Sequence, residues 1–517
     1  MPTDNPTQPH HSGFTNVAIS GTAWATGQTI ANKFITLIAI WVIARQLTRD
    51  EVGAAALAMT VMKFLCVLPP LNMGDVLIAH RRQFGWLGGI GSRLAVQTGI
   101  TITILSALIS PAVASFYSQY PSTLLIGLLV VAAFRPTGEA AQVHALTRLR
   151  LDFQNRTIAI IEGSWQLCAT VATIIMALAG AGAWAMVLPL IVAIVGKAIC
   201  YRLRQPRDAT IHSEPQELHP RHIQFATRRL RNAFLSTGGA QYLHSVVDTM
   251  PLLVLGKWAT ASETGVYAFA FTLAGQANTM IATQISGVLQ PILGHMQKDL
   301  HRQVNAYKRA MCMLSAIAIP VCLTQAIFSE TLFALVFDAR WQPAARVFAV
   351  LSICESFFFA AAPTMAMLKA QGRFRTFLAW QGCQLALAAV VFPIAALHGG
   401  AFSVALGSAV LWSISLPIAV WLCIRPAGGS IWDALRIFIA PWCTSLPIGV
   451  AAYFIAEKLQ ASGTWGMVFA LAITAPIMLA VMLYATRWSQ PNVYREIEPM
   501  VRKGMSRIPI LTKIFRT

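Results

Sequence analysis

From Val17 to Thr486 the chain alternates long apolar runs with short polar breaks. Each run holds about twenty residues or more, enough to cross roughly 30 Å of hydrocarbon as a helix. Fourteen can be drawn, at 17–44, 53–79, 94–116, 121–146, 157–180, 182–201, 233–256, 264–293, 307–335, 343–368, 374–397, 400–424, 432–456 and 463–486. In hydrocarbon a helix satisfies its own backbone groups, so the pattern predicts an all-α polytopic membrane protein of about fourteen transmembrane helices. The first run is too long for a signal peptide and lacks a basic leader and a small-residue cleavage site, so it reads as a retained helix. The tail before it, MPTDNPTQPHHSG, reads as disordered. Composition agrees: 56% of the 517 residues are hydrophobic, 11% are charged, and the mean hydropathy is +0.60.

A net charge of +19 would fit a nucleic-acid binder, but the basic residues alternate between loops. With a cytoplasmic N-terminus, 29 lysines and arginines fall in cytoplasmic segments and six fall outside: Arg45, Arg49, Lys257, Arg340, Arg346 and Lys458. The positive-inside rule then places both termini in the cytoplasm, and no nucleic-acid partner is implied. Lys33, Lys63, Arg135 and Lys197 lie within or at the ends of runs. Lys197 is expected to snorkel to the nearby interface; the other three need partners or a wet cavity.

The outer hairpin after the first run reads ARQLTRDEVGAAALA, Ala44 to Ala58, and GKWATASETGVYAFA, starting at Gly256, overlays it without a gap. The offset is 212 residues, matching Arg45 to Lys257, Glu51 to Glu263 and Gly53 to Gly265. Six runs separate the copies, so the repeat is parallel, about an axis along the membrane normal. GAGAWAMVL, from Gly180, and GGAFSVALG, from Gly399, are a weaker echo, each joining two runs through a Gly-rich turn. The expected organisation is a disordered tail (1–16), a six-helix bundle (17–201), a basic linker (202–232), a second six-helix bundle (233–424), a terminal helix pair (425–486) and a basic tail (487–517). Paired bundles around a central cavity suit alternating access.

Polar residues recur at helical spacing inside several runs: Thr22, Thr26, Thr29, Lys33 and Thr36; Thr272, Gln276, Thr279, Thr283, Ser286 and Gln290; Gln241, His244, Ser245, Asp248 and Thr249; Glu162, Gln166, Thr170 and Thr173. Such stripes line a wet cavity, or bond back to their own helices and across dry interfaces. Arg135 and Glu139, spaced i, i+4, either pair with each other or face the cavity. In the first bundle Lys33, Lys63 and Arg135 stand against Glu139, Glu162 and Asp75, a balance suited to an anion such as a pyrophosphate. Candidate substrate-binding residues are therefore Lys33, Lys63, Arg135, Glu139, Thr29, Gln276 and Gln290. Candidates for ion coupling are the membrane carboxylates Asp248, Glu162 and Glu355, with Asp248 first.

Enzyme chemistry is not indicated. There is no GxxxxGK[ST] loop for a nucleotide, no HExxH or other metal-ligand spacing among eleven histidines, and no CxxC among nine cysteines, which read as small hydrophobes. No cofactor is implied. A membrane glycosyltransferase or polymerase would carry a substantial outer loop with paired carboxylates or a His and Arg cluster, and the outer loops here are among the shortest.

ARQLTRDEVGAAALA, LTRLRLDFQNRTIAIIEG (Leu146 to Gly163), GAGAWAMV and VVDTMPLLVLGKWATASETGVYAFA together resemble the polysaccharide transporter family. That family includes the Wzx-type flippases and belongs to the multidrug/oligosaccharidyl-lipid/polysaccharide exporter superfamily. Where its hairpin usually carries Gly-Pro, this chain has Thr48 and Arg49. The resemblance implies a secondary carrier that flips a polyprenyl-diphosphate-linked oligosaccharide across a bacterial inner membrane for exopolysaccharide, capsule or O-antigen assembly. Its implied partners are membrane lipids and the polymerase and chain-length or export proteins of the pathway. A lipid II flippase and a multidrug/cation antiporter of the superfamily are the alternatives, with a membrane enzyme of polysaccharide assembly, marked by a reactive cluster on the outer face, the alternative from another class.

The orientation is tested by placing single cysteines at Gln216 and Gln342 in a variant without native cysteines. An impermeant thiol reagent added to intact cells should modify position 342 and spare 216. The opposite pattern overturns the orientation.

Overall fold

The computed structural model describes residues 32–66, 73–74, 77, 84–152, 154–204, 242–276, 278, 289, 293, 296, 299–489 and 491. Among them the regular structure is helical, with no strand. Nine helical stretches are long and apolar enough to cross a membrane. One of these, Arg375–Ala427, is two helices folded back at Gly399 and Gly400, where Gly400 takes φ 58°. Helices 32–46, Arg49–Cys66, 242–258 and Ala261–Ala274 occupy the remaining predicted runs without meeting that length and composition, so nine stretches do not establish the count of fourteen.

By contacts the chain divides into two compact units. One takes residues up to Gln46, Leu65–Pro111 and Ile126–Gly238; the other takes Leu47–Phe64, Ala112–Leu125 and the chain from Gly239 onward. Two hairpin segments of the first sequence half thus pack with the second. The units follow contacts, whereas the 17–201 and 233–424 bundles follow the repeat, and the latter division stands as a proposal.

In the first unit, small residues let helices approach closely, the usual basis of helix association in lipid. A side chain at Gly196 would overlap the Trp165 ring, and one at Gly138 would lie against Ile194. The run after Pro121 is broken at Ala133 and Phe134, between helices Ser122–Ala132 and Arg135–Leu151. Pro136 lacks the N–H that would continue the ladder there. The Thr103 hydroxyl donates to the Ala133 carbonyl at 2.7 Å, and such a partner is what makes irregular backbone tolerable at membrane depth.

The second unit packs around aromatic rings: Phe269 stacks on the fully buried Trp341 at 4.2 Å, with Phe333 and Phe337 edge-on to Phe269. Leu387, Val390, Ile394, Val410 and Ile414 are exposed on the Phe374–Ile424 hairpin. In a membrane such a face meets lipid, where an exposed leucine carries no penalty.

Also in this unit, the two hairpin copies meet. A Cβ on Gly53 would overlap the Ala261 carbonyl oxygen and stand 3.0 Å from the Gly265 nitrogen; one on Gly265 would overlap the Arg49 carbonyl oxygen and stand 3.1 Å from the Gly53 nitrogen. Arg49 and Ala261 are themselves 212 residues apart, so the contact is reciprocal under the repeat. Both helices start alike. Thr48 and Glu51 bond each other in both directions, the Thr48 N–H donating at 2.8 Å, and the Thr260 hydroxyl oxygen accepts from the Glu263 N–H at 3.2 Å. The T-x-x-E spacing of a capping box thus recurs in both copies.

Gly53→Ala and Gly265→Ala should each destabilise this crossing by about 1–3 kcal/mol, the usual cost of overpacking. Thermal unfolding in detergent reads this as a lower Tm. An unchanged Tm for both variants would mean that the backbones do not approach as described.

Candidate functional site

Among the described residues, the first unit places two of the candidate carboxylates in ion pairs. Arg135 opens its helix beside Pro136, and its Nε donates to Glu139 Oε1 at 2.7 Å, the pairing that i, i+4 spacing allows. The second oxygen, Oε2, is buried without a partner. Glu162, a coupling candidate, accepts from Lys197 Nζ at 2.9 Å and from the Tyr201 hydroxyl at 2.6 Å. Lys197 therefore reaches a neighbouring helix instead of snorkelling to the interface. Lys33 is half-buried on helix 32–46, where the Asn32 amide donates to the Gly163 carbonyl at 3.4 Å.

The second unit holds the rest. Lys63, near the end of helix Arg49–Cys66, donates to Asp248 Oδ2 at 2.7 Å, joining residues 185 positions apart. His244 lies one helical turn before Asp248, and its Nδ1 is buried without a partner. Glu355 is 6% exposed on helix Gln342–Ala361, and its Oε2 accepts from the Asn278 amide at 2.9 Å. Among the described residues, Asp248 and Glu162 thus have lysine partners and Glu355 a neutral one.

Within the polar stripes, the described threonines and Gln276 bond back to their own helices. Thr36, Thr170, Thr173, Thr249 and Thr272 donate to carbonyls four residues earlier, and the Gln276 amide donates to the Thr272 carbonyl. A hydroxyl used this way keeps acceptor capacity, so the geometry leaves it usable by a ligand. Thr22, Thr26, Thr29, Gln241, Thr279, Thr283, Ser286 and Gln290 lie outside the described residues, as does Asp75. Eight of the cysteines are free, and no His, Cys, Asp and Glu cluster able to hold a metal occurs among the described residues.

A feature that the patterns did not reveal sits at the hairpin end of the second unit. A cavity of about 920 Å³ is lined by Asp50, Glu51, Gln119, Tyr120, Trp258, Glu263 and His398, among others. The Glu263 carboxylate accepts from the Ala401 N–H at 2.9 Å and fills the space where a Gly400 side chain would stand. The repeat's acidic position is thereby bonded to the Gly-rich turn. Gln119 and Lys257 tie the neighbouring segment down, bonding the Lys257 and Phe116 carbonyls at 3.1 and 2.8 Å. Tyr120 is 5% exposed, and burial pushes its hydroxyl up to about 12, so it remains an O–H donor at physiological pH. Thr264 stands beside it, but the Thr264 hydroxyl donates to the Thr260 carbonyl at 3.1 Å, and the Tyr120 hydroxyl has no hydrogen-bond partner.

Residues 42–346, more than half of the chain, match the family described as polysaccharide biosynthesis protein. The chain belongs to that family. A succinoglycan biosynthesis transport protein of Rhizobium meliloti (strain 1021) is 21% identical over 450 residues, covering 84% of this chain and 85% of the relative. A teichuronic acid biosynthesis protein of Bacillus subtilis (strain 168) is 20% identical over 502 residues, 95% of this chain and 99% of its own. Among solved structures, a lipid II flippase in an inward closed conformation aligns with a TM-score of 0.65 at 12% identity, covering 92% of this chain and 99% of that one. An inward-facing multidrug resistance transporter, itself described as of the MATE family and MOP superfamily, aligns at 0.58 and 13%, covering 77% and 96%. These likenesses establish the fold: an all-α polytopic membrane architecture.

Removing one partner of the Lys63 and Asp248 pair leaves a charge without balance, whereas removing both does not. Lys63→Met and Asp248→Asn should each lower Tm, and the double variant should recover most of the loss, with a coupling of ~0.5–3 kcal/mol. Strict additivity in a denaturation cycle would show that the pair contributes nothing to stability.

Proposed function

We propose that the protein flips a polyprenyl-diphosphate-linked oligosaccharide across a bacterial inner membrane by alternating access, feeding exopolysaccharide, capsule or O-antigen assembly. The observation that carries this reading is a family member of polysaccharide biosynthesis that keeps Lys63 and Arg135 inside membrane helices, each bonded to one carboxylate. A cation in hydrocarbon costs about 3 kcal/mol on insertion scales and is retained where it serves a substrate or ion path. A diphosphate offers such cations stronger acceptors than one carboxylate does. Lys33, Lys63 and Arg135 contact the diphosphate and first sugars; Glu139 returns to Arg135 when the site empties; and Thr29, Gln276 and Gln290 bond sugar hydroxyls. The relatives named for succinoglycan and teichuronic acid biosynthesis favour an oligosaccharide cargo over lipid II or a drug.

Both termini lie in the cytoplasm on this reading, and the polymerase and chain-length or export proteins act downstream. Coupling falls on the carboxylates. Asp248 and Glu162 are balanced by lysines, so Glu355, beside a neutral amide, moves ahead of Asp248 as the group whose charge a transported proton or sodium ion would balance.

The test is reconstitution into vesicles with a fluorescent polyprenyl-diphosphate oligosaccharide, with and without imposed proton and sodium gradients. The parent should exchange the lipid between leaflets faster than protein-free vesicles do. Arg135→Ala should lose about tenfold or more of that rate, the scale of one charge-assisted hydrogen bond, and Arg135→Lys should keep part of it. Exchange no faster than in protein-free vesicles overturns the proposal.

A further inference from the structure

The hairpin-end cavity of the second unit is not used by the reading above, and its walls differ in kind from the sites assigned to the diphosphate. Asp50, Glu51 and Glu263 supply carboxylates, Gln119 an amide and His398 an imidazole, and none of the described lining residues is lysine or arginine. Trp258, 45% exposed, presents an indole ring. Tyr120 adds a buried hydroxyl that donates to nothing in the protein.

Each feature restricts the ligand. Three carboxylates without a cation repel phosphate, so a diphosphate is disfavoured here. Glu51 and Glu263 each already commit one carboxylate oxygen, to Thr48 and to the Ala401 N–H, which disfavours a divalent cation that several carboxylates must share. What remains favourable is a neutral molecule rich in O–H donors, for carboxylates to accept from, with apolar C–H faces to lie on an aromatic ring. Sugars have both. A volume of about 920 Å³ falls in the usual range for small-ligand sites and accommodates a short oligosaccharide.

We infer that this cavity is a carbohydrate-binding vestibule that takes the uncharged glycan of the cargo, apart from its diphosphate, on the outer side of the membrane. The inference rests on the flippase reading for its cargo and on the charge partition for its side, since the lining residues come from hairpins that partition assigns outside. Trp258 stacks on a sugar face; Asp50 and Gln119 bond hydroxyls at the rim; Tyr120 donates to a ring or hydroxyl oxygen deeper in. Glu263 gives its second oxygen while its first holds the Ala401 N–H. A vestibule that grips sugar and repels phosphate lets go of the lipid-linked end first, which favours release over return.

The full-length protein in nanodiscs is titrated with uncharged glucose and galactose tetrasaccharides, free of lipid and phosphate, and binding is read by saturation-transfer NMR. At least one tetrasaccharide should bind saturably. Trp258→Ala should weaken it about tenfold and Tyr120→Phe about threefold, while Leu387→Ala, on the exposed apolar face of the Phe374–Ile424 hairpin, leaves it unchanged. Asp50→Asn, at an exposed position, guards against misfolding and should weaken binding as well. No binding across the panel, or binding indifferent to Trp258→Ala and Asp50→Asn, overturns the vestibule. Leaflet exchange of the lipid-linked oligosaccharide is measured on the same preparation. Exchange without glycan binding rejects the vestibule and leaves the flippase reading intact; glycan binding without exchange supports the vestibule and rejects that reading.

Discussion

A charge inside a bilayer must be balanced within the reach of its own side chain, and much of this protein follows from that constraint. Arg135 finds Glu139 one turn away, Lys197 finds Glu162 across a helix contact, and Lys63 finds Asp248 from a distant part of the sequence. The Lys63 and Lys197 pairs each join two helices, whereas the Arg135 pair closes within its own helix. Arg135 is the clearest case. It stands at a helix break, paired by one nitrogen to one oxygen, while the other Glu139 oxygen has no partner. On the proposed function, single-bond pairing of this kind is what a diphosphate would displace.

The second constraint is steric. Gly53 and Gly265 bring two helix starts so close that each backbone occupies the place of the other's missing side chain. The contact repeats itself under the 212-residue offset, so the duplication visible in the sequence survives as a reciprocal contact. The same hairpins carry Glu51, which bonds back to the Thr48 N–H at its helix start, and Glu263, whose carboxylate holds the Ala401 N–H while Thr260 caps its helix. Their remaining polar capacity, with Trp258 and Tyr120, makes the acidic cavity.

The helices were legible because hydrocarbon imposes a run length, and the repeat was legible because two hairpins share a spacing. The Arg135 and Glu139 pair was legible because i, i+4 neighbours are close on any helix. Lys63 with Asp248 was not, since no local pattern links a second run to a seventh. Lys197 misled for a related reason: proximity to a basic loop suggests snorkelling, and only the packing of Asn155–Leu178 on Trp184–Arg204 offers Glu162 and Tyr201 instead. Tyr120 gave no signal because its meaning lies in lacking a partner, which is a property of packing. The T-x-x-E spacing at Thr48 and Thr260 marks both helix starts in the sequence itself, where it is part of the repeat.

The central claim is that the membrane cations serve the cargo and not merely the fold. Exchanging the partners of one pair separates the two roles, because Lys63→Asp with Asp248→Lys preserves the attraction and moves the cation to the other helix. Leaflet exchange of a lipid-linked oligosaccharide by this double variant is the most direct measurement. The account expects a Tm close to the parent's with exchange reduced to the protein-free rate. Exchange at the parental rate would mean that Lys63 only holds two helices together.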